Sequence, residues 1–159
     1  MQQADRFGGG SVMVWGGIHH GGRTALVRVE GALTAVRYRD DILTPHVVPH
    51  VNVHGGLFQH DNARPHVARV CTEFLQRQHI ATLPWPARSP DLSPIEHMWD
   101  QLDRRVRQRQ PPPQTLQELF LALQQEWQNI PRAYIRTLIA SMGRRCHATV
   151  EAKGYHTRY

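Results

Sequence analysis

The sequence lacks the features of membrane proteins and of disulfide-rich secreted domains. Its 159 residues contain no apolar run of the roughly 18 residues that a membrane-spanning helix needs, and residues 1–10 contain no signal-peptide core. Its two cysteines, Cys71 and Cys146, are far apart and form no CxxC pair, so we predict free thiols in a reducing compartment. No internal repeat is present.

What the chain does contain is a sizeable apolar fraction and an excess of positive charge. Apolar residues make up 40%, which is too many for a disordered chain and enough for a core. Nineteen Lys and Arg residues stand against 13 acidic ones, giving a formal charge of +6. A basic domain suggests a polyanionic partner, nucleic acid first, although a solvated basic face would have the same composition.

The order of apolar patterns predicts an α/β domain with a mixed sheet. Residues 11–18 and 24–29 favour paired strands, and residues 38–53 favour a helix in spite of two prolines. A short strand over 57–61 and an amphipathic helix from Pro65 to about Gln78 follow.

The second half begins with another short strand and is then helical. Residues 79–83 favour the strand, and the prolines that follow it predict an extended linker. Helices are predicted from Ser93-Pro94, over residues 115–128, and from Pro131. Strands followed by alternating elements and then helices fit the α/β class.

Two carboxylates occupy positions suited to metal chemistry. Asp61 ends a predicted strand, where active sites of open α/β sheets lie, and Glu96 lies in the first turn of a predicted helix. The 34 residues between them include one helix, one strand and one loop, a path that can return to the same sheet edge. Such oxygen ligands suit Mg²⁺.

Each carboxylate also has a purely structural interpretation. Ser93 to Glu96 fits the S-x-x-E capping box, in which Glu96 would bond to the backbone N–H of Ser93. Asp61 could be a turn aspartate, helped by Asn62. The local pattern leaves both interpretations open.

Histidines and arginines supply further candidates. His66 and His60 flank Asp61 as possible partners of the carboxylate, as phosphate contacts, or as packed or exposed side chains. A second group, spaced by four, could bind zinc if its helix were continuous, but Pro45 and Pro49 interrupt the helix and favour solvated or DNA-facing side chains: His46, His50 and His54. A basic run suggests a phosphate-binding face or a solvated helix end: Arg104, Arg105, Arg107 and Arg109. Trp85 could stack on a base or cover the core.

Several motifs in order give the chain its resemblance to a family. They are GGGSVMVWGGI at 8–18, LFQHDNARPHVA at 57–68, LPWPARSPDLSPIEHMWDQLDRRV at 83–106, QEWQNIP at 125–131 and AKGYHTRY at 152–159. From Arg6 onward the chain resembles the Tc1-like branch of the Tc1/mariner transposases. Motifs in this order are far more specific than any one alone.

The resemblance implies an RNase H-like fold and a DDE triad of carboxylates, with 34 residues between the last two. That spacing falls on Asp61 and Glu96 as catalytic residues and metal ligands. It also implies Mg²⁺, with Mn²⁺ as a substitute, and cleavage and strand transfer of DNA. The partners would be transposon ends and target DNA, with a homodimer as a further possibility and no membrane, and the location would be nuclear. Arg104, Arg105, Arg107 and His66 become candidate DNA contacts.

The chain also departs from the family pattern. The family's first aspartate lies on a strand upstream of the GGGSVMVWG motif, and the N-terminal helix-turn-helix units lie further upstream. We therefore expect an N-terminally truncated α/β RNase H-like fold that lacks the first strand and is inactive alone. The expected organisation is a flexible start (1–10), a partial catalytic domain (11–145) and a basic tail (146–159). The alternative is a non-catalytic, basic nucleic-acid-binding remnant.

Overall fold

The computed structural model describes residues 2–4, 11–83 and 93–144, the first three by their backbone. The predicted linker with Trp85 and the basic tail over 146–159 lie outside the described residues. Two compact units make up the chain. The first unit comprises Met1–Arg28 and Pro90–Tyr159, and the second comprises Val29–Ser89. None of the described helices is both long enough and apolar enough to cross a bilayer.

The described residues at the beginning of the chain form five short strands: β1 (Gln2–Ala4), β2 (Ser11–Trp15), β3 (Ile18–His19), β4 (Gly22–Arg23) and β5 (Val27–Val29). Three of them form a sheet in the order β1-β2-β5, with β1 antiparallel to β2, and β3 pairs antiparallel with β4. Val12 and Val14 of β2 are buried, as period-two alternation requires. β1 lies inside the stretch that we expected to be a flexible start.

Among the described residues, the first unit also contains three helices: α5 (Pro94–Arg107), α6 (Leu116–Asn129) and α7 (Arg132–Ala140). They lie where the 3.6-residue periodicity predicted them. Each buries one stripe, for example Met98, Leu102 and Val106 on α5, in a common core that also includes Val12 and Val14 of β2. Burial of these stripes is the main favourable term in the stability of this unit.

The centre of this core is Trp127, whose side chain is fully buried. Its indole N–H donates to the Thr24 carbonyl at 2.9 Å, and its ring stacks on Trp99 with centroids 5.2 Å apart. Gly16 lies so close that a Cβ atom there would be 2.9 Å from the Trp127 ring. Three of the motifs that carry the family resemblance therefore meet around one side chain.

The second unit contains a nearly continuous helical segment and two shorter helices: α1 (Ala35–Arg37), a π-helix (Tyr38–Val47), α2 (Val48–His54), α3 (Arg64–Val67) and α4 (Arg69–Arg77). The helix predicted over 38–53 is present, with Pro45 in its π-helical part. There the N–H of Val48 donates to the carbonyl of Leu43, five residues earlier.

Two predictions for this unit need correction. The helix predicted from Pro65 to Gln78 is interrupted at Ala68, whose ψ of 143° is extended, so α3 and α4 are separate. The strands predicted over 57–61 and 79–83 are reduced to one parallel bridge between Phe58 and Thr82. Its hydrogen bonds run from the N–H of Phe58 to the Ala81 carbonyl and from the N–H of Leu83 to the Phe58 carbonyl, both 2.9 Å long.

Candidate active-site residues

Asp61 lies in the second unit, between the Phe58–Thr82 bridge and α3. Its Oδ1 atom accepts the backbone N–H of Ala63 at 3.0 Å and lies 2.5 Å from Nδ1 of His66. The Ala63 bond is the interaction expected of a turn aspartate. Both contacts use the same oxygen, and among the described residues Oδ2 has no hydrogen-bond or ion-pair partner. The turn interaction and ligand binding are therefore compatible.

The carboxylate is ionised at neutral pH. The hydrogen bond from His66 is the largest cause that lowers the pKa of Asp61 to about 2, against the opposing effect of burial, and the Ala63 N–H adds to it. Because an ionised carboxylate only accepts, Nδ1 of His66 carries the hydrogen. The Asp61 side chain remains 63% exposed, whereas that of His66 is 17% exposed. The mostly buried His66 ring thus holds a charged carboxylate that is itself largely exposed.

Four aromatic rings, two of them histidines, pack together next to this carboxylate. The His60 and His66 rings are nearly parallel, with centroids 5.4 Å apart, and Tyr38 lies 4.1 Å from the His66 ring. The Phe58 ring lies 4.9 Å from His60. Burial is the main cause that lowers the pKa of His60 to about 4, so this ring is neutral at pH 7. The sequence did not single out Tyr38, because it lies more than 20 residues before either histidine.

Glu96 lies in the first unit, exposed in the first turn of α5. Its backbone N–H donates to the Ser93 carbonyl at 3.2 Å, but the Ser93 side chain makes no cap hydrogen bond, so that half of the predicted capping box is absent. The capping pair instead forms at α6. There Thr115 Oγ1 accepts the N–H of Glu118 at 3.1 Å, and Glu118 accepts the N–H of Gln114 at 2.7 Å.

The structure brings Asp61, His60 and His66 together within the second unit. Glu96 belongs to the first unit, and the convergence of the two carboxylates stays a prediction. Of the histidine group considered for zinc, His50 and His54 are neighbours, with ring centroids 4.6 Å apart. Solvation or contact with DNA stays the preferred interpretation of these histidines, ahead of zinc binding.

Most of the predicted basic face of α5 is engaged in ion pairs. Arg105 lies 3.7 Å and Arg109 lies 2.7 Å from the Glu126 carboxylate of α6. Arg107 pairs with Asp103 one turn earlier at 2.7 Å. Within the described ranges Arg104 is exposed and makes no ion pair, which leaves it the most available of the predicted DNA contacts.

Comparison with known proteins agrees with the motifs. A family model described as "DDE superfamily endonuclease" matches residues 3–119. The chain is 38% identical over 157 residues to the transposable element Tcb1 transposase of Caenorhabditis briggsae, covering 97% of the chain and 56% of that relative. It is 36% identical over 157 residues to the transposable element Tc1 transposase of Caenorhabditis elegans, with the same coverage. The chain thus spans little more than half the length of these relatives.

Solved structures show the same fold. The Mos1 transposase catalytic domain with Raltegravir and Mg matches with a TM-score of 0.80, at 18% identity, over 93% of this chain and 78% of that chain. The Mos1 mariner paired-end complex with Mn matches with a TM-score of 0.83, at 19% identity, over 98% of this chain and 47% of that chain. The RNase H-like fold expected from the motifs is thereby confirmed. On the family match and these relatives, the chain belongs to the DDE superfamily as part of a Tc1/mariner transposase catalytic domain.

Proposed function

We propose that this chain supplies two carboxylate ligands, Asp61 and Glu96, to a divalent-cation centre that cleaves and joins DNA strands during transposition. The observation that carries the proposal is the state of Asp61. Its carboxylate is ionised, one oxygen is fixed by two donors, and the other has no partner among the described residues. Hard cations such as Mg²⁺ take oxygen ligands of this kind.

The residues around each carboxylate fit a role in holding a cation. At Asp61, the Ala63 N–H and His66 Nδ1 fix Oδ1, so that Oδ2 is the atom left to bind. At Glu96, the turn is anchored by the buried residues Ser93 and Pro94, while the side chain stays exposed. When bound, a pair of divalent ions would activate the attacking oxygen and stabilise the leaving oxygen of the phosphodiester. The two carboxylates would then hold the ions in position and supply negative charge, and no protein side chain would act as the nucleophile.

Contacts with DNA would come from basic side chains that are not engaged in ion pairs. Arg104 is the first candidate on α5, while Arg105 and Arg107 are held by Glu126 and Asp103. His66 has its Nδ1 on Asp61, which leaves only Nε2 for a phosphate or base. A formal charge of +6 would support binding along the phosphate backbone.

The comparisons support metal and DNA as partners. The related Mos1 structures include one with Mg, one with Mn, one with the left transposon end and one described as a strand transfer complex. Paired-end complexes also favour a dimer as the working form. We propose Mg²⁺, with Mn²⁺ as a substitute, as the cation, and the nucleus as the place where chromosomal DNA is reached.

The test measures Mn²⁺ binding by the 159-residue chain. Binding is detected through the paramagnetic relaxation of water protons by the ion. Asp61→Asn and Glu96→Gln remove one anionic ligand each with little change in shape, so each should weaken binding about tenfold or more. Asp40→Asn is the matched control, because Asp40 is an exposed carboxylate of the second unit that pairs with Arg39. If both site variants bind Mn²⁺ as tightly as the parent chain does, the proposal is refuted.

The same variants separate catalysis from the alternative of a basic nucleic-acid-binding remnant. Such a remnant would bind DNA in a salt-sensitive way and would be indifferent to both carboxylates and to Mn²⁺. A catalytic portion would instead show Mn²⁺-dependent contact with DNA that falls in Asp61→Asn and Glu96→Gln. DNA affinity measured at two salt concentrations, with and without Mn²⁺, distinguishes the two.

A further inference from the structure

Tyr38 is a fully buried side chain that touches both histidines around Asp61. It is the first residue of the π-helix, and its ring centroid lies 4.1 Å from that of His66, tilted by 33°. Its hydroxyl is joined to Nδ1 of His60 by a hydrogen bond of 3.2 Å. One side chain thus contacts the face of one imidazole and the ring nitrogen of the other.

These contacts form a continuous path to the carboxylate. The His60 and His66 rings are only 8° from parallel, so Tyr38 and His60 together restrict the plane of His66. His66 in turn places its Nδ1 hydrogen on Oδ1 of Asp61. The path thus runs from the buried Tyr38 through the His66 ring to the exposed Asp61.

The orientation of Asp61 needs such support. The terminal torsion of an aspartate has a broad minimum, so its two oxygens are not fixed by rotamer preference alone. The Ala63 N–H fixes Oδ1 at one point, and the His66 ring supplies the second point. A ligand whose partner is locked in place by packing binds its target with less ordering cost.

We propose that Tyr38 is a positioning residue for Asp61. It holds the His66 ring in the plane that keeps Oδ1 occupied and Oδ2 open for a cation. The proposal rests on the proposed function of Asp61 as a metal ligand, and it adds a residue outside the family motifs that carried the resemblance. A role in core packing alone would make Tyr38 important for stability and irrelevant to cation affinity.

The experiment compares four variants of the 159-residue chain in Mn²⁺ binding, each checked for folding by circular dichroism. Tyr38→Leu and Tyr38→Met both remove the flat ring, and the flexible methionine refills the space if leucine does not fold. Each should weaken Mn²⁺ binding about tenfold. Tyr38→Phe keeps the ring over His66 and should retain a Mn²⁺ affinity within about twofold of that of the parent. Leu75→Ala, a buried leucine of the second unit, is the control for lost packing.

The proton on His66 Nδ1 gives a second readout. In the parent and in Tyr38→Phe it should be visible by NMR as a slowly exchanging signal, and in the ring-less variants it should be lost. Parent-like Mn²⁺ binding in a folded ring-less variant, or an equal loss in Leu75→Ala, overturns the role of Tyr38. Asp61→Asn separates the two claims: if it weakens binding while the Tyr38 variants do not, only this inference fails, and if it has no effect, the proposed function fails.

Discussion

Gly16→Ala should destabilise the first unit through a clash with Trp127. The added Cβ atom would lie 2.9 Å from Cζ2 of Trp127 and 3.2 Å from Cη2 of Trp99. Trp127 cannot move aside without losing its hydrogen bond to the Thr24 carbonyl, and its side chain is fully buried. Overpacking of this kind costs about 1–3 kcal/mol.

An opposing effect reduces this cost. Replacing glycine by alanine restricts the unfolded chain and stabilises the folded state by about 0.4–1 kcal/mol where the backbone permits it. The net loss expected for Gly16→Ala is therefore about 1–2 kcal/mol. For a chain of this size, that corresponds to a melting temperature lower by about 2–8 °C.

The assay is urea unfolding followed by tryptophan fluorescence, because Trp15, Trp99 and Trp127 all belong to the first unit. Gly143→Ala is the matched control, since nothing lies within 4 Å of a Cβ atom at that position and only the entropic gain applies. The unfolding midpoint should fall in Gly16→Ala and stay or rise in Gly143→Ala. Equal midpoints in the two variants would refute the close packing of Gly16 on Trp127.

Two further predictions concern pH and DNA. Burial lowers the pKa of His60 to about 4 from the 6.5 of an exposed ring, so between these values the unfolded chain binds a proton that the folded chain does not. The free energy of unfolding should therefore fall as the pH drops from 7 to 5, by up to about 2 kcal/mol from this group. Urea unfolding midpoints that fall equally with pH in the parent and in His60→Gln would contradict this. Arg104→Gln should weaken DNA binding more than Arg107→Gln does, because Arg107 is paired with Asp103. Fluorescence anisotropy with a labelled duplex measures both affinities. A larger loss of affinity in Arg107→Gln would contradict the choice of Arg104 as the DNA contact.

The sequence predicted the helices of the first unit well, because their apolar stripes are long and regular. On α5 the stripe through Met98, Leu102 and Val106 is buried as expected. The second unit was harder to predict. The break at Ala68 has no glycine or proline at the breaking residue, and the strands over 57–61 and 79–83 are too short for their patterns to show that only one bridge forms.

Part of the candidate site could likewise be predicted from the sequence, and part is visible only in the structure. The motif and its 34-residue spacing made Asp61 and Glu96 the candidates, since covalent order along the chain is what a motif records. The sequence could not show which oxygen of Asp61 is held, because that depends on where the His66 ring lies. It also could not separate arginines available for DNA from those paired with Glu126 or Asp103.

By itself, the sequence determined the family, the candidate carboxylates and the regular helices, all of which depend on residue identity and local spacing. Only the tertiary structure decided that Gly16, Trp99 and Trp127 meet in one core, and that Tyr38 packs on His66. These contacts join residues separated by 28 to 111 positions along the chain. Packing between such distant segments depends on the shapes of whole elements, and no local pattern records it.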